Sequence, residues 1–148
     1  MVSELKACIA TEPGGFGNKS DRLAGLGVLV VDDDDDSREL LALVLQNAGA
    51  RVTQAYSAQS ALRALHEDRF DVLLSDIGMP IEDGYALIKQ VRAKGNPVSA
   101  VAVTAFTSPE DRRRALSAGF QKHLGKPVDI QHLVDTVASL TAAPASAQ

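Results

Sequence analysis

Short apolar runs alternate with amphipathic segments along most of the chain. The run at 28–31 is apolar and rich in β-branched valine, which is typical of a strand buried on both faces. Similar runs predict further strands at 51–55, 71–75, 97–103 and 120–124. Between the strands, apolar residues recur at helical spacing, for example Leu40, Leu41, Val44 and Leu45. The pattern therefore predicts five strands alternating with five helices.

Residues that suit helix ends support this division. Ser57, Ser108 and Asp129 can accept hydrogen bonds at helix N-termini, and Pro109 suits a first helical position. Residues 1–26 are rich in Gly, Ser and charge, and we expect a flexible N-terminal linker or extension there. Residues 27–140 form one predicted domain, and the Ala/Ser/Pro-rich residues 141–148 are predicted to be a disordered tail.

Single helices between apolar strands predict an α/β fold. They imply a parallel sheet covered by helices on both faces and joined by right-handed crossovers. Such sheets bind ligands outside the carboxyl ends of their strands. The residues that follow each strand are therefore the candidates for function.

Acidic, hydroxyl and amino groups gather at these strand ends. Asp32 and Asp33 follow the first strand, Asp76 the third, Thr104 the fourth and Lys126 the fifth. Clustered carboxylates repel one another unless a cation joins them, and Mg²⁺ prefers oxygen ligands. A carboxylate can also act as a nucleophile toward a phosphoryl group, whose charge Mg²⁺, Lys126 and the Thr104 hydroxyl would stabilise. The set predicts an aspartyl phosphate site on Asp76.

Each of these residues also has a simpler interpretation. Asp34, Asp35 and Asp36 complete a run of five aspartates, and acids of this kind favour the positive end of a helix. Thr104 or Lys126 alone would be an ordinary strand or surface residue. The hypothesis rests on their coincidence at successive strand ends.

Composition narrows the class of protein. The 148 residues are 45% hydrophobic and 23% charged with a net charge of −4, so no basic field indicates nucleic acid binding. No apolar run is long enough to cross a bilayer. A single cysteine, Cys8, excludes an internal disulfide and favours a cytoplasmic location.

The motifs together resemble the receiver domain of two-component response regulators over roughly residues 27–140. The matching stretches are Val28-Leu29-Val30-Val31-Asp32-Asp33, Leu73-Leu74-Ser75-Asp76-Ile77-Gly78-Met79-Pro80 with Asp83-Gly84, Val103-Thr104-Ala105, and Gly125-Lys126-Pro127. The resemblance implies a flavodoxin-like (βα)5 three-layer sandwich with strand order 2-1-3-4-5. It also implies a signalling protein that catalyses only its own phosphorylation and dephosphorylation.

The resemblance assigns a role to each site residue. Asp76 would be the phosphoacceptor, and Lys126 would contact the phosphoryl group. Mg²⁺ or Mn²⁺ would be bound directly by Asp33 and Asp76, by the Gly78 carbonyl, and by Asp32 mainly through water.

Signal relay and partners are implied in the same way. Thr104 would move toward the phosphoryl group and draw a fifth-strand side chain inward, here His123 where many receivers have Tyr or Phe. The Lys126–Pro127 peptide would be cis. Gly78 and Phe106 hold positions that tune dephosphorylation in the family, and an apolar Phe106 would shield the phosphoryl group from water.

The implied phosphoryl donor is a sensor histidine kinase or a histidine phosphotransfer protein, and the protein would be a monomer or a phosphorylation-dependent dimer. It would be a stand-alone receiver or the C-terminal part of a hybrid sensor kinase.

Two alternatives compete with a phosphorylated receiver. A haloacid-dehalogenase-like phosphatase also uses an aspartate after its first strand, and Asp32-x-Asp34 fits superficially, although Asp36 stands where that class prefers Thr or Val. A receiver fold that signals by binding alone is the second alternative, and the intact set of acids and lysine argues against it.

Overall fold

The computed structural model describes residues 21–79 and 81–147. The predicted extension up to residue 20, with Cys8, lies outside the described residues, as do Pro80 and Gln148. Within the described part of the chain, no helix is both long enough and apolar enough to span a membrane.

In the part of the chain that the structure describes, five strands alternate with five helices, as predicted. The strands are β1 Gly27–Val31, β2 Arg51–Ala55, β3 Val72–Asp76, β4 Ser99–Thr104 and β5 Lys122–Gly125. The helices are α1 Asp35–Asn47, α2 Ala58–Glu67, α3 Gly84–Ala93, α4 Pro109–Ala118 and α5 Ile130–Ala147. All strand pairs are parallel in the order β2-β1-β3-β4-β5, which confirms the predicted flavodoxin-like fold.

The sheet separates two hydrophobic cores. Leu29 and Val31 of β1 pack on one face with α2, α3 and α4, while Val28 and Val30 pack on the other face with α1 and α5. All five β1 residues are buried, because alternate side chains point to opposite faces and both faces are covered. Because the strands are parallel, the carboxyl ends of β1, β3, β4 and β5 lie at one edge of the sheet.

Helix caps fix where several helices begin. The hydroxyls of Ser57 and Ser108 accept hydrogen bonds from the N–H groups of Ser60 and Asp111, and both helices carry a reciprocal capping box. Asp129 accepts from the N–H of His132 at 2.8 Å. The predicted caps are therefore present.

Two segments differ from the expected domain limits. Leu23, within the predicted linker, is fully buried in the core on the α1 and α5 side of the sheet, and its N–H donates to the Ala48 carbonyl at 2.8 Å. Residues from Asp21 onward thus extend the packed domain at its N-terminal side, because an apolar side chain here completes the core. At the other end, α5 continues to Ala147, where the sequence predicted a disordered tail from Thr141.

Candidate functional site

The three predicted acids meet at the carboxyl edge of the sheet. Asp32 and Asp33 follow β1, and Asp76 is the last residue of the neighbouring strand β3. One carboxylate oxygen from each lies within 4.8 Å of the other two. Asp32 is fully buried, the Asp76 side chain is 11% exposed, and Asp33 faces solvent. The cluster therefore has two largely buried acids and one open side.

Lys126, which directly follows β5, brings a positive charge into the same cluster. Its ammonium donates to Asp32 Oδ2 at 3.1 Å and lies 3.7 Å from Asp76 Oδ1. Burial lowers the pKa of Lys126, but the hydrogen bond to Asp32 and the charge of Asp76 outweigh it, so the net pKa is raised. The ammonium is thus held charged beside the acids. The Lys126–Pro127 peptide is cis, as the resemblance implied.

Asp76 carries an unfavourable charge in this setting. Burial raises its pKa first, the Asp32 carboxylate raises it further, and Lys126 offsets only part of the increase. Among the described residues, one ammonium faces three clustered carboxylates, so negative charge exceeds positive charge within the cluster. All-oxygen ligands with an open side suit a hard divalent cation that retains water, and the acidic triad is able to hold a metal ion.

The predicted switch residues are connected through one backbone segment. Thr104 is 1% exposed, and its Oγ1 accepts the N–H of Phe106 at 3.0 Å. The Phe106 carbonyl lies 3.1 Å from Nε2 of His123. A displacement of the Thr104 hydroxyl would therefore disturb the Phe106 backbone and, through it, the His123 ring.

Gly78 lies beside both Asp76 and Phe106. Its N–H donates a long hydrogen bond of 3.4 Å to Asp76 Oδ1. A Cβ at this position would lie 3.6 Å from the ring of Phe106, which is itself 58% exposed. The two positions predicted to tune dephosphorylation thus face each other across the mouth of the site.

The rest of the aspartate run has the structural role that was expected. Asp34 is the N-cap of α1, where Oδ2 accepts the N–H of Ser37 at 2.9 Å, and this bond lowers the pKa of Asp34. Asp35 and Asp36 are exposed in the first helical turn. There they interact favourably with the positive end of the helix.

Two residues at the site were not predicted from sequence. Arg38 of α1 donates to the backbone carbonyl of Asp32 at 3.0 Å. Gly84 is packed so closely that a Cβ would lie 2.5 Å from the Asp76 carbonyl oxygen. The sequence indicates Asp83-Gly84 only as part of a motif, and nothing in the local sequence distinguishes Arg38 from any arginine on a helix surface.

The fold and the acidic site together define a receiver-type protein. The response regulator receiver domain family matches residues 28–138. The chain therefore belongs to that family.

The chain is also similar to individual proteins and to solved structures. An uncharacterized 14.6 kDa protein of Leptolyngbya boryana is 45% identical over 117 residues, covering 78% of this chain and 89% of the relative. The sensor histidine kinase RcsC of Salmonella typhi is 38% identical over 75% of this chain, but the match spans only 12% of that protein. The Francisella response regulator 1452 receiver domain has a TM-score of 0.78 at 28% identity and covers 81% of this chain and 99% of its own.

Membership in this family decides between the main alternatives. Receiver domains pair with histidine kinases and are not conventional enzymes, so the family assignment decides against the phosphatase alternative. The geometry agrees: Asp32, which would be the phosphatase nucleophile, is fully buried and bonded to Lys126.

Proposed function

We propose that Asp76 accepts a phosphoryl group from the phosphohistidine of a partner protein and that the product switches the surface formed by β4, β5 and α4. The observation that carries the proposal is the placement of Asp76. It ends a buried strand, has two further acids within 4.8 Å, and has an ammonium 3.7 Å away. The donor would be a sensor histidine kinase or a histidine phosphotransfer protein.

In the transfer, an Asp76 carboxylate oxygen attacks phosphorus, the P–N bond to the partner's imidazole breaks, and the imidazole leaves with the electron pair. The Asp76 carboxylate is a suitable nucleophile because it is held at the rim rather than paired tightly with Lys126. Lys126 would balance the charge on the phosphoryl oxygens.

Mg²⁺ or Mn²⁺ fits the donor set of the site. We assign Asp33, Asp76 and the Gly78 carbonyl as direct ligands, and Asp32 as a ligand through water. When bound, the cation would neutralise charge on the carboxylates and on the transferred phosphoryl group. Asp32 suits an indirect role because one of its oxygens already accepts from Lys126 and the other from the N–H of Asp34.

The response to phosphorylation would run through Thr104. Its hydroxyl would turn to donate to a phosphoryl oxygen, which weakens its hydrogen bond with the Phe106 N–H. The Phe106 carbonyl then shifts relative to His123, and the ring changes position. Phosphorylation would thereby favour one of two packings of the face formed by β4, β5 and α4.

Acetyl phosphate with Mg²⁺ provides a direct test, read by intact-protein mass spectrometry. The wild-type protein is expected to gain one phosphoryl group, and Asp76→Asn none. Asp36→Asn is the matched control, because it removes an exposed acid of the aspartate run, in the first turn of α1, and should be labelled like wild type. Labelling of Asp76→Asn at the wild-type rate would refute the assignment.

Beryllofluoride, an analogue of the phosphoryl group, distinguishes a phosphorylated receiver from one that signals by binding alone. We expect Mg²⁺-dependent changes in the amide NMR signals of Thr104, Phe106 and His123 when beryllofluoride is added. A spectrum that does not change, in protein that is folded and has bound Mg²⁺, would favour a module that signals without phosphorylation.

A further inference from the structure

Arg38 links the acidic loop to two secondary-structure elements. Its Nη1 donates to the Asp32 backbone carbonyl at 3.0 Å, and its Nε donates to the Gln54 side-chain oxygen of β2 at 3.0 Å. Its Nη2 forms an ion pair of 2.7 Å with Asp35 in the first turn of α1. The Arg38 side chain is only 12% exposed, so it lies against the domain and does not extend into solvent.

The carbonyl that Arg38 holds belongs to the peptide joining Asp32 to Asp33. On its other side, Asp32 is fixed by its own N–H, which donates to the Ala55 carbonyl of β2 at 3.1 Å. The direction of this peptide plane sets where the Asp33 backbone, and hence its carboxylate, leaves the strand. The Asp33 side chain is exposed, so its position depends mainly on the conformation of its own backbone.

The contacts of Arg38 leave the ligand oxygens accessible. It binds a backbone carbonyl, an amide oxygen and the carboxylate of Asp35, which lies outside the acidic triad. Lys126, in contrast, donates directly to Asp32 Oδ2. A planar guanidinium can make three divergent bonds of this kind, whereas an ammonium on a flexible stem cannot reproduce their geometry.

We infer that Arg38 is a positioning residue that arranges Asp32 and Asp33 for the divalent cation. This inference rests on the metal site proposed above. Groups that orient metal ligands without touching the metal commonly contribute 10–100-fold to affinity.

A second effect of Arg38 has the opposite sign and makes the inference testable. As a cation near the site, the guanidinium repels a divalent metal ion, so its removal would tighten binding if charge were its main contribution. If positioning dominates, its removal weakens binding. The direction of the change therefore decides between the two roles.

The test is Mg²⁺ binding to the unphosphorylated protein by isothermal titration calorimetry, with folding checked by circular dichroism. We expect Arg38→Met to raise the Kd about 10-fold or more, and Arg38→Lys to be intermediate. Gln54→Leu removes the anchor on β2 and should weaken binding in the same direction by a smaller factor. Arg63→Met, which removes an exposed arginine from α2, serves as the charge-matched control and should bind as wild type does.

Several results would overturn the inference. Folded Arg38→Met that binds Mg²⁺ as tightly as wild type, or more tightly, would show that the guanidinium does not position the ligands. Equal weakening in Arg63→Met would show that the loss of affinity is not specific to Arg38. If Arg38→Met does not fold, Arg38→Lys and Gln54→Leu decide, and wild-type Kd values in both would refute positioning. Absence of Mg²⁺ binding in the wild type would instead contradict the metal site itself.

Discussion

The acidic site should make the metal-free protein less stable than it would be without Asp76. Asp76→Asn keeps the shape of the side chain and removes its charge. The substitution therefore separates the electrostatic cost of the site from its packing. We expect the variant to have a larger free energy of unfolding than wild type when divalent cations are chelated at neutral pH.

The magnitude follows from the distances in the cluster. Two like charges 4.8 Å apart repel by about 3.5 kcal/mol at an effective dielectric constant of about 20, and Asp76 has two carboxylates within that distance. The Lys126 ammonium at 3.7 Å attracts Asp76 by about 4.5 kcal/mol on the same basis. Because solvent screens the exposed Asp33, we expect a net gain of about 1–3 kcal/mol for Asp76→Asn.

The dependence on pH follows from the raised pKa of Asp76. The folded protein retains the proton of this carboxyl to a higher pH than the unfolded chain, whose ordinary value is 3.8. Above the raised pKa, the charged carboxylate lowers wild-type stability in full; below 3.8 both states are protonated and this contribution vanishes. The difference between variant and wild type should therefore grow as the pH rises from 3.8 through the raised pKa.

Urea unfolding in EDTA, measured across this pH range, provides the assay. Asp36→Asn serves as the control, because this exposed acid favours the α1 N-terminus and its loss should cost at most about 1 kcal/mol, the opposite direction. Adding Mg²⁺ should stabilise wild type more than Asp76→Asn. A metal-free Asp76→Asn protein that is no more stable than wild type at neutral pH would refute the reasoning.

Three further predictions concern packing and the lifetime of the phosphoryl group. Gly84→Ala places a Cβ 2.5 Å from a backbone oxygen and should lower the free energy of unfolding in urea by about 1–3 kcal/mol. In Gly27→Ala the nearest contact of the Cβ is at 3.5 Å, so the free energy of unfolding should change by less than about 1 kcal/mol, and equal effects would contradict the packing argument. Arg92→Met removes side-chain hydrogen bonds to three backbone carbonyls and should lower the free energy of unfolding by about 2 kcal/mol. Lys89→Met, on the exposed face of the same helix, is the control, and similar melting curves for the two variants would contradict the prediction. Phe106→Glu should shorten the lifetime of the aspartyl phosphate several-fold, because a charged side chain admits water to the site. The lifetime is measured as loss of label after the donor is removed, and an unchanged decay rate would rule out shielding by Phe106.

Much of the site could be predicted because its residues follow directly after strands. In a parallel sheet the carboxyl ends of neighbouring strands share one edge, so position in sequence fixes the edge on which a residue lies. Asp32, Asp33, Asp76 and Lys126 are found together for this reason. The role of each in chemistry stays a prediction that the labelling and binding experiments test.

Helix packing was predicted less well. Leu40 belongs to the apolar spacing of α1 but is 58% exposed, whereas Leu41 is buried. Apolar spacing identifies an amphipathic helix, but the rotation of that helix on the sheet decides which residues at the border of the stripe are covered. Leu23 shows the converse, since an apolar residue in an irregular segment completes the core.

By itself, the sequence determined the order of strands and helices, their caps and the edge of the sheet where chemistry could occur, because these depend on local periodicity and on short-range hydrogen bonds. Tertiary structure alone decided that Arg38 donates a hydrogen bond to the peptide between Asp32 and Asp33 and that Gly84 must lack a side chain. It also decided that Phe106 links Thr104 to His123. Such contacts join residues on different elements, and their distances depend on how strands and helices pack, which no local pattern records.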